Sequence, residues 1–169
     1  MKSNSSSTAP TVLLDTSVIS GFVKQEMKPD DATAFSRIAE MARKGQLTIF
    51  GSTVTKEELD RIPSTYRSSH LEEYGTLQKI RASNATWVDT NPGSTSFGTV
   101  VQHPDYQALR SILKDENDAR LAFQGKMAGV TTFLTIDYRS ILNKSTLLAS
   151  HGVYAVSPSQ YFSSTAKSS

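Results

Sequence analysis

Four acidic residues lie at positions in the chain where a carboxylate could take part in catalysis. Asp15 and Asp137 each follow an apolar run typical of a buried strand, whereas Glu58 and Asp118 lie in the first turns of predicted helices. In an open parallel sheet, the carboxyl ends of the strands and the N-termini of the helices that follow them line the same edge. We therefore expect these four carboxylates to lie close together in the folded chain.

Several carboxylates in one corner need positive charge, because an unpaired buried carboxylate takes up a proton or costs several kcal/mol. Mg²⁺ or Mn²⁺ would supply that charge, since both ions prefer oxygen ligands and keep bound waters that can attack a phosphate. A zinc site fits the sequence poorly, because the chain has no cysteine and His70, His103 and His151 are isolated. The acids thus indicate metal-assisted phosphodiester chemistry.

Helical spacing directs two of the acids toward the predicted sheet. Asp118 shares one helix face with Leu121 and Gly125, and Glu58 shares a face with Val54. Both faces are apolar apart from the acid, which is typical of a face that packs inward. We expect Asp118 and Glu58 to point inward with these apolar neighbours.

Short apolar, β-branched runs alternate with stretches of helical period, and this alternation predicts a parallel sheet covered by helices. The predicted strands comprise residues 11–14, 47–50, 86–88, 132–135 and 153–156. The predicted helices comprise residues 29–45, 66–82, 104–113 and 115–127, together with a helix capped by Ser52 or Thr53 that carries Glu57 and Glu58. Residues 91–102, rich in Gly, Ser and Thr, are predicted to form a loop.

The length of 169 residues is typical of a single domain with a full core. The Ser-rich segment 1–10 and the tail 163–169 carry little that could be buried, so we expect both to be flexible. Residues 11–162 form the predicted domain.

The charge balance is mild, with 18 Lys and Arg residues against 16 Asp and Glu residues and a formal charge of +2. Net charge alone therefore does not indicate a nucleic-acid-binding protein, and any contact with a polyanion must come from a local patch. No apolar run approaches the roughly 20 residues that cross a bilayer. The sequence predicts a cytoplasmic protein without membrane contact.

Four short segments, each containing one of the acids, form an ordered series along the chain. They are Leu13-Leu14-Asp15-Thr16-Ser17-Val18-Ile19, Thr55-Lys56-Glu57-Glu58-Leu59, Asp118-Ala119-Arg120-Leu121-Ala122 and Phe133-Leu134-Thr135-Ile136-Asp137. In order and spacing, the series resembles the acidic motifs of the PIN-domain nucleases. The resemblance spans nearly the whole body of the chain, and its most specific part runs from Asp118 through Gly129 to Asp137.

This resemblance implies a three-layer α/β/α sandwich with a central, mainly parallel sheet. It also implies a metal-dependent endoribonuclease that hydrolyses RNA phosphodiester bonds with Mg²⁺ or Mn²⁺. The residues that match the family's catalytic, metal-binding acids are Asp15, Glu58, Asp118 and Asp137.

The resemblance extends to hydroxyl groups and to partners. Ser17 and Thr135 match positions whose hydroxyls orient the acids or the metal-bound waters. Many relatives are VapC-type toxins of toxin–antitoxin pairs, which implies RNA as substrate, an antitoxin protein as partner and pairing with a second copy of the chain.

Several assignments stay open at the level of sequence. Glu57 competes with Glu58 for the second acidic position, and Glu58 is preferred because Leu59 follows it as in the family pattern. Asp115 is a candidate metal ligand, helix cap or both. The candidates for contacts with the RNA backbone are Arg67, Arg120 and Lys126.

Two other functions compete with the nuclease interpretation. A PIN-like module that binds RNA without cutting it would keep the same acids. A haloacid-dehalogenase-like phosphatase also starts with an Asp after its first strand, but it needs a second Asp two positions later, where this chain has Ser17. We therefore rank the phosphatase well below the nuclease.

Overall fold

The computed structural model describes residues 9–75, 78–79 and 101–165. Five strands of this part form one parallel sheet with the order β3-β2-β1-β4-β5. These strands are β1 (Thr11–Leu14), β2 (Thr48–Gly51), β3 (Gln78–Lys79), β4 (Thr132–Leu134) and β5 (Tyr154–Val156). Because β1 lies at the centre, its carboxyl end opens at the middle of the sheet edge.

Helices connect the strands and cover the sheet. They are α1 (Thr16–Lys24), α2 (Pro29–Arg43), α3 (Thr53–Asp60), α4 (Ser64–Gly75), α5 (Pro104–Ile112), α6 (Glu116–Met127), α7 (Ser145–Ser150) and α8 (Pro158–Thr165), with a 3₁₀ turn at Leu142–Lys144. Pro29 and Pro104 begin α2 and α5, where the missing N–H of proline costs no hydrogen bond. None of the helices in the described segments is long and apolar enough to span a bilayer.

The two faces of the sheet bury two separate cores. Leu13 of β1 belongs to a core with Leu109 of α5 and Phe123 of α6. Its neighbour Leu14 points to the other face, into a core that includes Ile38 of α2. Successive strand residues point to opposite faces, so a strand apolar at every position is buried on both sides. The predicted three-layer α/β/α sandwich is confirmed.

The structure corrects one predicted element and leaves others outside its range. The helix predicted over 66–82 ends at Gly75, and Gln78–Lys79 instead pairs with β2 as strand β3. Pairing with β2 is a tertiary interaction that local helical period does not reveal. The predicted strand 86–88 and residues 91–100 of the predicted loop lie outside the described residues, while Val101 and Gln102 are helical.

Parts of the two segments predicted to be flexible belong to the hydrogen-bonded fold. The carbonyl of Pro10 accepts a hydrogen bond of 2.9 Å from the Thr48 amide, which extends the pairing of β1 with β2. At the other end, α8 continues to Thr165 and packs against α2. Helices α1, α7 and α8 were not predicted, and α1 begins with the β-branched residue Thr16, which disfavours recognition of a helix from sequence.

Candidate functional site

The carboxylate of Asp15 lies at the end of the central strand. Leu14 pairs with Leu134 of β4, and the Asp15 amide donates to the Leu134 carbonyl at 3.0 Å. This register sets Asp15 beside Thr135, whose hydroxyl donates to Asp15 Oδ2 at 2.7 Å. The Ser17 hydroxyl donates to the same oxygen. Asp15 is only 4% exposed, so its orientation is set by protein groups rather than by water.

Burial raises the pKa of Asp15, because the ionised form loses most of its hydration. The hydrogen bonds from Ser17 and Thr135 act in the opposite direction, since they stabilise the ionised form. The negative charge of Asp137 raises the pKa further. Asp15 is therefore a buried acid whose pKa depends on the charge of at least one other carboxylate.

The same two hydroxyls also fix the backbone of the loop after β4. The Ile136 amide donates to Ser17 Oγ at 3.2 Å, and the Asp137 amide donates to Thr135 Oγ1 at 3.0 Å. The carboxylate of Asp137 turns back onto its own loop, where Oδ1 accepts from the backbone amides of residues 139 and 140 at 3.0 and 2.8 Å. Ser17 and Thr135 thus join the segments that carry Asp15 and Asp137.

Glu58 is carried by α3, which begins after β2 at Thr53 and ends at Asp60. The prediction that Glu58 lies in the first turn of its helix is therefore wrong, because it lies in the last turn. Ser52 caps this helix and accepts from the Thr55 amide at 3.2 Å. The Glu58 carboxylate accepts a hydrogen bond from the Thr16 hydroxyl at the start of α1. Burial raises the pKa of Glu58, and the charges of Asp15 and Asp115 add to this rise against hydrogen bonds from Thr16 and Asn117.

The adjacent Glu57 forms an ion pair instead, which favours Glu58 for the second acidic position. Its carboxylate accepts from both terminal nitrogens of Arg120, at 3.1 Å from Nη1 and 3.3 Å from Nη2. Arg120 Nη1 also donates to Asn117 Oδ1 at 3.1 Å. The Arg120 side chain is only 2% exposed. The guanidinium is buried in an ion pair that ties α6 to α3, which disfavours the predicted contact of Arg120 with RNA.

Asp118 lies in the first turn of α6 and faces the other acids. Burial is the largest cause that raises the pKa of Asp118 to about 8. The rest of this rise comes from the negative charges of four surrounding carboxylates, which in decreasing order of effect are those of Asp15, Asp115, Glu58 and Asp137. Such coupling between carboxylates requires proximity, because the interaction of like charges falls with distance and with solvent screening.

Asp115 acts as the N-cap of α6. Its Oδ1 accepts from the amides of Asn117 and Asp118 at 2.8 and 3.1 Å, which satisfies two free donors at the helix start. The sequence left open whether Asp115 is a metal ligand, a helix cap or both, and in the structure it is a helix cap. Asp115 nevertheless contributes negative charge to the site through its effect on Asp118.

Asp15, Glu58, Asp118 and Asp137 lie near enough for negative charge among them to raise the pKa of the first three, and we call these four residues the acid cluster. All their ligating atoms are oxygens, as Mg²⁺ and Mn²⁺ prefer. Yet no three acidic or histidine side chains among residues 9–75, 78–79 and 101–165 are arranged to hold a metal ion as they stand. The reason lies in local donors: Glu58 is directed at Thr16 and Asp137 at its own backbone. The oxygen donors are thus of the type that a hard cation prefers, although these side chains do not form a metal site as they stand.

Each of the two remaining candidates for RNA contacts, Lys126 and Arg67, has a partner within the fold. Lys126 is at the C-terminal end of α6, about 12 Å along the helix from Asp118, and forms an ion pair of 2.9 Å with Asp105. Arg67 is exposed on α4 and donates from Nε to the Ile62 carbonyl at 3.0 Å. In the part of the chain that the structure describes, neither side chain forms an ion pair with an acid of the cluster.

Two residues at the site were missed by the sequence analysis. Thr16 holds Glu58, and Asn117 lies between Glu58 and Arg120. Thr16 follows Asp15 and Asn117 precedes Asp118 in the sequence. This adjacency to a predicted acid is the signal by which the two residues could have been found. Their roles depend on contacts across the sheet edge, which sequence spacing does not show.

Comparison with known proteins gives one structural likeness. No protein-family model matches the chain, and no curated protein matches its sequence. A chain in the crystal structure of VapBC2 from Rickettsia felis bound to a DNA fragment from their promoter superposes on it with a TM-score of 0.53. The match covers 87% of this chain and 98% of that chain, at 14% sequence identity. At this identity the likeness is one of fold, and the α/β/α fold of this chain is similar to that of the VapBC2 chain.

Proposed function

We propose that this protein is a metal-dependent endoribonuclease that hydrolyses RNA phosphodiester bonds. The observation that carries the proposal is the acid cluster, in which burial and the neighbouring carboxylates raise the pKa of Asp118 to about 8. Acids with strongly shifted pKa values cluster at functional sites, because burial and like charges tune carboxylates for catalysis or metal binding there. Such a site is stabilised by a divalent cation.

The residues that would hold Mg²⁺ or Mn²⁺ are Asp15, Glu58, Asp118 and Asp137. When bound, the ion supplies acidification of a water and stabilisation of negative charge on a phosphate. The chain's own groups prepare the ligands. Ser17 and Thr135 orient the Asp15 carboxylate and favour its ionised form, and Thr16 fixes Glu58 on the neighbouring helix.

We further propose that the chain acts as the toxin of a toxin–antitoxin pair. The support is the fold similarity to a chain of VapBC2, a complex solved on promoter DNA. An antitoxin protein would be the natural partner, and its basic groups would find a counter-charge in the acid cluster. Pairing with a second copy of the chain belongs to the same proposal.

A second candidate function is an RNA-binding module with this fold that does not cut. It is favoured by one specific observation, that the acids in the described part of the chain are not arranged to hold a metal ion. The two functions differ in a single measurable property, which is cleavage that depends on a divalent cation.

The decisive experiment is incubation of the purified chain with a mixed RNA pool, with Mg²⁺, with Mn²⁺ and with a chelator. We expect cleavage with either ion and none with the chelator. Asp15→Asn and Asp118→Asn should abolish cleavage while the circular dichroism spectrum stays that of the folded protein. Glu40→Gln, an exposed acid paired with Lys44 on α2, is the matched control and should cut like the wild type. Retained cleavage in both Asn variants contradicts the proposal, and tight RNA binding without cleavage favours the second candidate.

A further inference from the structure

A groove with cationic walls lies beside the acid cluster. It has a volume of about 570 Å³ and is lined by Lys114, Asp115, Arg139, Ser140, Asn143 and Lys144. We call it the basic groove, because three of its six lining residues carry positive charge and only one carries negative charge. Its three cations come from separate parts of the chain: the loop between α5 and α6, the loop after β4, and the 3₁₀ turn.

The basic groove begins where the acid cluster ends. Asp115 lines the groove and caps the helix that carries Asp118, through a hydrogen bond of 3.1 Å from the Asp118 amide. On the other side, the amides of Arg139 and Ser140 bind the Asp137 carboxylate at 3.0 and 2.8 Å. The groove and the acids therefore share two segments of backbone, and a polymer lying across one reaches the other.

The three cations are available to a ligand. In the part of the chain that the structure describes, the Lys and Arg side chains in ion pairs are Lys44, Lys56, Arg120 and Lys126. The side chains of Lys114, Arg139 and Lys144 form no ion pair with any described acid. Lys114 and Arg139 are exposed, and Lys144 is half-buried.

The single acid of the groove does not neutralise these cations. Asp115 Oδ1 accepts two backbone amides at the start of α6, so its charge is partly balanced by the helix N-terminus. Ser140 and Asn143 add neutral donors to the same wall. Arginine presents a planar fork that matches phosphate oxygens, and lysine acts as a point charge on them. This combination suits an anion that carries several oxygens.

We propose that the basic groove binds a backbone phosphate of a single-stranded polynucleotide whose neighbouring phosphodiester lies at the acid cluster. This inference rests on the proposed function and assigns substrate-binding contacts to cations other than the buried Arg120 and the paired Lys126. A polyanion that approaches a group of carboxylates is repelled, and cations directly beside them offset that repulsion and fix the register of the strand. Recognition through phosphates alone is independent of base and of sugar.

The test compares two pairs of substitutions that remove the same charge. Arg139→Gln with Lys144→Gln changes the groove, whereas Lys24→Gln with Lys44→Gln changes exposed cations at the C-terminal ends of α1 and α2. A third protein, with Arg139→Lys and Lys144→Arg, keeps the charge of the groove. Binding of a short labelled single-stranded RNA and of DNA of the same sequence is measured by fluorescence anisotropy in chelator, at several salt concentrations.

We expect the groove variant to bind both strands roughly tenfold more weakly than the wild type. The slope of log affinity against log salt should become shallower by about 0.7 for each phosphate that the variant no longer binds. The control pair should bind like the wild type, and the charge-retaining pair should recover most of the affinity. In Mg²⁺ or Mn²⁺, the KM for RNA cleavage should rise in the groove variant while kcat changes little.

The outcomes separate this inference from the proposed function. If the groove variant cleaves RNA in Mg²⁺ and binds it like the control, phosphate binding in the basic groove is contradicted and the proposed nuclease function is not. Absence of cleavage in every protein, with weaker binding confined to the groove variant, overturns the nuclease and supports the groove. Equal losses in the groove and control pairs indicate a general charge effect and overturn the inference, as does a loss for RNA without one for DNA. A groove variant with a changed melting temperature is replaced by the single variant Lys114→Gln, judged by the same criteria.

Discussion

Thr135 donates a hydrogen bond of 2.7 Å to Asp15 across two neighbouring strands, although 120 positions separate the two residues in the chain. The Thr135 oxygen also accepts from the Asp137 amide at 3.0 Å. One hydroxyl therefore connects two of the four acids of the cluster. The pairing of β1 with β4 makes this possible, because it aligns the carboxyl ends of both strands.

Replacement of Thr135 by Val keeps the shape of the side chain and removes the hydroxyl. We expect Thr135→Val to lower the free energy of unfolding at pH 7 by about 1–3 kcal/mol, since a buried carboxylate and a backbone amide each lose a partner. Chemical denaturation measures this change. Thr33→Val is the control, because the Thr33 hydroxyl is exposed and bonds only the Pro29 carbonyl at 2.9 Å within its helix. A loss no larger than in Thr33→Val contradicts the role of Thr135.

The pKa of Asp118 predicts how stability changes with pH in the absence of metal. Burial and the surrounding acids raise this pKa to about 8 from its ordinary value of 3.8. Between these two pH values the folded state keeps a proton that the unfolded state has lost, so stability falls as the pH rises. The stabilising contribution is fully present below about pH 4 and is lost as the pH passes through about 8.

Asp118→Asn removes this pH dependence, because the amide does not ionise. In chelator, we expect the variant to have a higher melting temperature than the wild type at about pH 8, and this gain should shrink toward about pH 5. Thermal unfolding followed by circular dichroism measures the difference. Asp60→Asn, an exposed acid on α3 paired with Lys56, should follow the wild-type curve. A constant difference between wild type and Asp118→Asn at all pH values argues against a shifted Asp118.

The neighbouring glutamates of α3 give a matched pair of substitutions with opposite effects. Glu57→Gln weakens the ion pair with the buried Arg120, so we expect a loss of about 1–3 kcal/mol in unfolding free energy with cleavage retained. Glu58→Gln relieves repulsion in the acid cluster, so we expect unchanged or higher stability in chelator and loss of cleavage. Denaturation curves and RNA cleavage are measured on both proteins. The reverse pattern would assign Glu57 to the site.

Gly125 permits the close approach of α6 to the central strand. A Cβ at this position would lie 2.7 Å from Leu13 Cδ2 and 2.8 Å from the Val130 carbonyl oxygen. The side chain of Leu13 can adjust, but the backbone carbonyl cannot move cheaply. We expect Gly125→Ala to destabilise the protein by about 1–3 kcal/mol and to displace Asp118 on the same helix.

The control for this substitution is Gly75→Ala at the end of α4. Among the described residues, no atom lies within 4 Å of a Cβ placed there. We expect Gly75→Ala to change the unfolding free energy by less than about 1 kcal/mol. Equal effects of the two substitutions would show that α6 does not depend on a close approach.

Divalent ions should stabilise the folded chain if the acid cluster binds them. At a metal concentration of about a hundred times Kd, the expected gain is about 2.7 kcal/mol, which a thermal shift detects. Apparent affinity should increase from about pH 6 to about pH 8, because protons on the raised acids must leave before the metal binds. Removal by chelator should reverse the shift. An unchanged melting temperature with both Mg²⁺ and Mn²⁺ contradicts a metal site in this cluster.

The amino-acid sequence determined the features that depend on local order. The run Thr11–Leu14 is predominantly apolar, which indicates a strand buried on both faces, and Pro104 and Gly129 mark a helix start and a turn. Gly129 has a φ of 73°, where a residue without a Cβ is favoured. A parallel sheet covered by helices, Asp15 and Asp137 after strands and Asp118 at a helix start could be predicted from such patterns. The position of Glu58 could not, because Glu58 lies in the last turn of α3 and not in its first.

Only the tertiary structure decided which charged residues face one another. Glu57 and Glu58 are adjacent in sequence, but Glu57 forms an ion pair with the buried Arg120, whereas Glu58 accepts a hydrogen bond from the Thr16 hydroxyl. The strand Gln78–Lys79 likewise exists because β2 offers it a pairing edge. The local pattern of residues indicates where a charged side chain lies in a strand or helix. Burial and contacts between distant segments determine whether that side chain forms an ion pair, lies beside another carboxylate or faces solvent.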